Sequence, residues 1–128
     1  GLIDHPRVML TPHLGASTDE AEENCAVMAA NQLMRFLETG SIVNSVNFPS
    51  TKLVRRAENR ITFSNRNVPK VLGNVLGILA DDGLNVIDMV NKSRDGIAIN
   101  LIDLDTKPNI QIEKEIKKIE HILSVRSC

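Results

Sequence analysis

Two apolar periods run along this chain and divide it. Between Asp19 and Thr39, the residues Ala21, Cys25, Met28, Ala29, Leu33, Phe36 and Leu37 recur at helical spacing on one face. The spacing predicts one long helix over about Asp19–Thr39. Ser17 and Glu20 stand at capping-box spacing ahead of it, and Asp19, Glu20, Glu22 and Glu23 load its positive end with negative charge. Gly40 is its natural stop. Upstream, Val8-Met9-Leu10-Thr11 reads as a short strand ended by Pro12, which offers no N–H to a ladder. Residues 41–49 have no helical period, and Val43, Val46 and Phe48 predict an extended segment against something apolar. Lys52 to Arg60 is charged and reads as a linker.

Beyond it the period changes to two. Ile61 and Phe63 alternate with Thr62 and Ser64 as a strand. Asn67-Val68-Pro69 turns into a helix with an apolar stripe of Val71, Leu72, Val75, Leu76 and Leu79, stopped by Gly83. Val86 to Val90 is a second strand, and Arg94-Asp95-Gly96 a hairpin turn into a third, Ile97, Ile99 and Leu101. Ile112, Ile116 and Ile119 mark a second helix, Leu123 and Val125 a last strand. The order βαββαβ gives an α+β, ferredoxin-like fold. Strict alternation puts Val86 and Val90 on one face and Ile87 and Met89 on the other. Apolar residues on both faces predict that a second copy or another domain covers the side opposite the helices. The expected division is 1–49 as the end of a larger α/β region, 50–59 as linker, and 60–128 as an independent domain. One strand and one helix cannot enclose a core, whereas the second half can.

Composition refines this picture. With three Phe and no Trp or Tyr, the core must be aliphatic, and the sheet lacks the stacking aromatics of RNA-binding modules. A net charge of −1 points to neither nucleic acid nor an acidic membrane as partner. No apolar run approaches the ~20 residues that span a bilayer. Cys25 and Cys128 form no metal or redox spacing and read as free thiols of a cytoplasmic protein. The start, apolar and without Met, looks cut from a longer chain.

Three sets of residues could carry chemistry. His13 lies in a Gly-containing loop before a helix and can exchange a proton with a substrate hydroxyl near neutrality. From its local context alone it reads more readily as a surface His that caps a turn. His5 and His121 read as solvated. Asn65, Asn67 and Asn85 offer donors and acceptors for both ends of a zwitterion, grouped around one helix terminus, although each taken alone reads better as ordinary turn and cap chemistry. Lys52, Arg55, Arg56 and Arg60 read as a solvated basic linker, and Glu113, Lys114, Lys117 and Lys118 as a mixed-sign solvent face.

The run Val8-Met9-Leu10-Thr11-Pro12-His13-Leu14-Gly15-Ala16-Ser17-Thr18-Asp19-Glu20-Ala21 resembles the last motif of the NAD-dependent D-2-hydroxyacid dehydrogenases, and Ile42-Val43-Asn44-Ser45-Val46-Asn47 is similar to a segment that often follows it. The resemblance implies that His13 is the acid/base of the full enzyme, with NAD as cofactor. Its Glu partner, the substrate Arg and the glycine-rich dinucleotide loop would lie upstream; no G-x-G-x-x-G occurs here. A fragment without them is expected to be inactive.

Asn67-Val68-Pro69-Lys70-Val71-Leu72-Gly73 and Leu79-Ala80-Asp81-Asp82-Gly83-Leu84-Asn85-Val86 are similar to the entry and helix-to-strand motifs of ACT domains. That resemblance implies self-association edge to edge and an L-serine effector bound at the interface by Asn65, Asn67 and Asn85. Asn65 stands where His is usual in serine-inhibited members, and Lys70 where Gly is usual. Two other expectations remain: a purely structural pairing module, and the tail of a dehydrogenase for a different 2-hydroxy acid.

Overall fold

The computed structural model describes residues 2–128. They contain α1 (Asp19–Thr39), β1 (Asn59–Arg66), α2 (Val71–Asp81), β2 (Val86–Arg94), β3 (Ile97–Leu104), α3 (Ile110–Lys118) and β4 (Ile122–Ser127). The chain divides into two compact units, Gly1–Asn31 and Gln32–Cys128.

In the first unit, Val8–Thr11 is not a strand. A single strand has no neighbour here to take its ladder hydrogen bonds, so its β propensity is not realised. The cap of α1 also differs from the expected pair: the Thr18 hydroxyl, not Ser17, accepts the Ala21 N–H at 3.2 Å. The bounds of α1 match the sequence pattern, and Gly40 ends it with φ +69. Among the described residues α1 buries no side chain.

The second unit holds the antiparallel sheet in the order β2-β3-β1-β4, the ferredoxin-like arrangement. The hairpin turn predicted at Asp95-Gly96 has positive φ at both residues, 51 and 79. Gly83 closes α2, with Leu84 N–H bonded back to the Leu79 carbonyl and Gly83 N–H to Ala80. Asn109 caps α3, its side chain accepting the Gln111 and Ile112 N–H groups at 2.8 and 3.0 Å. One sheet face packs Ile61, Phe63, Ile102 and Leu104 against Val75, Leu79, Ile112 and Ile116 of the two helices.

The opposite face is covered by the chain's own residues. Ile42, Phe48 and Leu53 pack on Ile99, Leu101 and Val90, and Ile42 and Thr51 form an isolated antiparallel bridge. Of the extended segment predicted from Val43, Val46 and Phe48, Phe48 packs on this face, whereas Val46 is 87% exposed and Asn44 turns the backbone at φ 55; the face so covered is the one expected to need a second copy or another domain. The expected sharing of a face by Val86 and Val90 does not hold. A bulge between Val86 and Asp88 breaks the alternation. Val86 and Met89 join the helix-side core while Val90 joins the other face.

Candidate functional site

The sheet carries two polar clusters, one on each face. On the helix side, three asparagines form a chain of side-chain amides. Asn91 of β2 stands directly opposite Asn100 of β3 in the ladder. Asn91 Nδ2 donates to Asn100 Oδ1 at 2.5 Å, Asn100 Nδ2 donates to Asn65 Oδ1 at 2.8 Å, and Asn65 Nδ2 donates to the Arg66 carbonyl at 2.6 Å. Asn100 also reaches the Phe63 carbonyl at 3.4 Å. Asn65 and Asn100 are 3% and 0% exposed, whereas Asn91 is exposed at the sheet edge.

The three predicted asparagines do not group around one helix terminus. Asn65 and Asn67 lie at the end of β1. β1 and β2 both run antiparallel to β3, so they are parallel to each other, and Asn85, just ahead of β2, sits at the opposite end of the sheet. The 11 residues of α2 lie between these positions, a length of about 16 Å. Asn67 is exposed, its N–H bonded to the Gly96 carbonyl at 2.8 Å. Asn85 is also exposed, and its N–H donates to Asp105 Oδ1 at 3.1 Å. Asn100 and Asn91 escaped the sequence reading. Their signal was a polar residue at position 100 inside the apolar run of Ile97 to Leu104.

Lys70, at the N-cap of α2, has φ 74 and makes no side-chain cap bond. A left-handed backbone there suits Gly, so the residue that departs from the ACT-like pattern also sits in a conformation L side chains disfavour.

On the other face lies an ion pair that overturns the reading of Arg60 as part of a solvated linker. Arg60 is a residue of β1 and directly opposes Asp103 of β3. Its Nε and Nη2 bond Asp103 Oδ1 and Oδ2 at 2.5 and 3.0 Å, and both side chains are fully buried. Burial pushes the Asp103 carboxyl up. The Arg60 hydrogen bond, the Arg56 N–H and the charges of Arg60 and Arg55 outweigh that and hold it below the ordinary carboxylate value. Charge alone at Arg60 suggested solvent; only the β1–β3 register reveals its partner.

The arginines also satisfy carbonyls at the C-terminus of α1, which has no basic residue in its own last turn. Arg60 Nη1 donates to the Thr39 carbonyl at 2.8 Å and Arg55 Nη1 to Glu38 at 3.1 Å. Arg126 donates to the Phe36 carbonyl and stacks 4.3 Å over its ring. Arg55 further binds the Glu58 and Cys128 carbonyls.

His13 lies in the exposed loop before α1, in the first unit. No hydrogen bond to its imidazole is made among the described residues, so nothing there holds a tautomer. His5 Nδ1 accepts the Arg7 N–H, and His121 makes a surface pair with Glu120. Both cysteines are free. Among the described residues no group of three or more His, Cys, Asp or Glu could hold a metal, and no helix is long and apolar enough to cross a membrane.

Comparison with known proteins gives a consistent set of relatives. The chain is 32% identical over 122 residues to D-3-phosphoglycerate dehydrogenase of Dictyostelium discoideum, with 94% of this chain and 30% of that protein covered. It is 30% identical over 121 residues to the enzyme of that name from Escherichia coli K12, covering 94% and 29%. It is 33% identical over 123 residues to D-3-phosphoglycerate dehydrogenase 2 of Saccharomyces cerevisiae, covering 92% and 26%. The chain thus spans about 30% of the length of these curated relatives. No family model matches. Among solved structures, the ACT domain from GTP pyrophosphokinase of Chlorobium tepidum aligns with 55% of this chain and 95% of its own, at TM-score 0.48 and 14% identity.

Proposed function

We propose that this chain is the regulatory end of an NAD-dependent D-3-phosphoglycerate dehydrogenase, which converts 3-phosphoglycerate to 3-phosphohydroxypyruvate in serine biosynthesis. The observation that carries this reading is similarity to proteins of that name along 94% of the chain, across both of its units. In the whole enzyme His13 would exchange a proton with the C2 oxygen of the substrate. NAD supplies the hydride chemistry and would be held by other parts of the protein, since no G-x-G-x-x-G occurs in this sequence. The chain alone is expected to transfer no hydride, which nicotinamide absorbance with 3-phosphoglycerate would check.

The second unit senses an amino acid, with L-serine as the expected effector. Asn67 and Asn85 are separated within one chain, so a site that uses both needs two copies. Side-by-side association through β2 supplies that arrangement, because β2 is an edge of the sheet and leaves one row of backbone groups unpaired. An effector with different affinity for two arrangements of the pair would then bias the enzyme. Calorimetry with L-serine, run beside sedimentation, tests the reading. Heat of binding from a dimer, lost in Asn67→Ala and in Asn85→Ala, supports it. A folded dimer that takes up no serine would remove the sensing role.

A second reading, a pairing module without effector, draws on Asn65. Its amide is buried and already bonded to Asn100 and Arg66. A dimer indifferent to serine would favour it.

A further inference from the structure

We infer that Asn91, the exposed end of the buried amide chain, receives the ammonium group of the amino-acid effector. The inference rests on the sensing reading above and adds to it a residue and the ligand group that the residue recognises.

The chain of amides has a direction. Each Nδ2 donates toward the next oxygen, from Asn91 through Asn100 and Asn65 to the Arg66 carbonyl. Amide dipoles aligned head to tail reinforce one another, and the free end of this series is the Asn91 Oδ1. It is an acceptor with negative partial charge, so its preferred partner is a donor, and a cationic donor above others. At the other end the series closes on a backbone carbonyl and offers nothing.

The placement is unlike that of ordinary core residues. Burying amides forfeits their hydrogen bonds to water and recovers little net stabilisation, so apolar side chains would join these strands at lower cost. Here three polar groups share the helix-side face with Ile61, Phe63 and Ile102, and they lead out to the unpaired edge strand. The buried pair Asn65–Asn100 holds the outermost amide in one orientation, with its carbonyl free. Asn65 thereby acts as a positioning residue, and the contact moves from the buried Asn65 to the exposed Asn91.

Calorimetry on the 128-residue chain tests this with two probes: L-serine, and 3-hydroxypropanoate, which is L-serine without its ammonium group. The wild type should favour L-serine by about tenfold or more. In Asn91→Leu that preference should collapse, through weaker L-serine binding and unchanged 3-hydroxypropanoate binding. Asn91→Ala is the second variant, should Leu on an exposed edge cause aggregation. If either folded variant keeps the full preference, the amides serve only to set strand register. The inference then falls while the sensing reading stands. If the wild type binds neither probe, both fall together.

Discussion

Arg60 and Asp103 face each other across the β1–β3 ladder as a two-point ion pair with no exposure to solvent. Asp103 takes a third hydrogen bond from the Arg56 N–H at 3.0 Å, and Arg60 a further acceptor at the Thr39 carbonyl. The pair joins the end of α1, the segment before β1, and the centre of the sheet.

Removing one partner should therefore cost more than removing both. Arg60→Ala leaves a buried carboxylate uncompensated and should destabilise the second unit by roughly 3–5 kcal/mol. Arg60→Met combined with Asp103→Leu should recover most of that loss, since an apolar pair of similar volume needs no desolvation. Urea unfolding of the two variants checks the order; equal losses would contradict it.

The same carboxyl sets an acid limit. Its folded-state value is depressed, so its stabilisation is fully present above the unfolded value of about 4. It is lost as pH falls through the lower folded value. Thermal unfolding followed from neutral pH downward should show the decline beginning below about pH 4. Asp103→Asn should be less stable at neutrality and should flatten this part of the profile.

Lys70 holds a left-handed backbone with φ 74 at the start of α2. Lys70→Gly relieves that conformation, and because Gly also gains freedom in the unfolded chain the net gain should be about 0.5–1 kcal/mol. A higher urea midpoint with unchanged slope is the expected result. A loss would mean that the Lys70 side chain makes compensating contacts.

Asn109 satisfies two N–H groups at the start of α3. Asn109→Ala should cost about 1 kcal/mol. Faster hydrogen exchange at Gln111 and Ile112 should accompany the loss, while the amide protons of β1 and β3 change only with global stability.

Much of the fold can be read from neighbours in the chain. The bounds of α1, the stop at Gly40, the Asp95-Gly96 turn and the stripes of α2 and α3 rest on capping, φ preference and helical spacing, all of which act within a few residues. The polar interruption at Asn100 was visible too, but not its meaning, because its partners Asn65 and Asn91 come from two other strands.

The sequence by itself determined the element order and hence the ferredoxin-like topology, and it placed His13 in a loop before a long helix. Only the tertiary structure decided that Val8–Thr11 forms no strand, that Ile42 and Phe48 cover the far side of the sheet, and that a bulge separates Val86 from Val90. It also decided that Arg60 is buried and that Asn67 and Asn85 lie at opposite ends of the sheet. The reason is physical: a backbone preference is carried by a residue and its neighbours, whereas the cost of hiding a charge or an amide depends on which distant strand brings its partner.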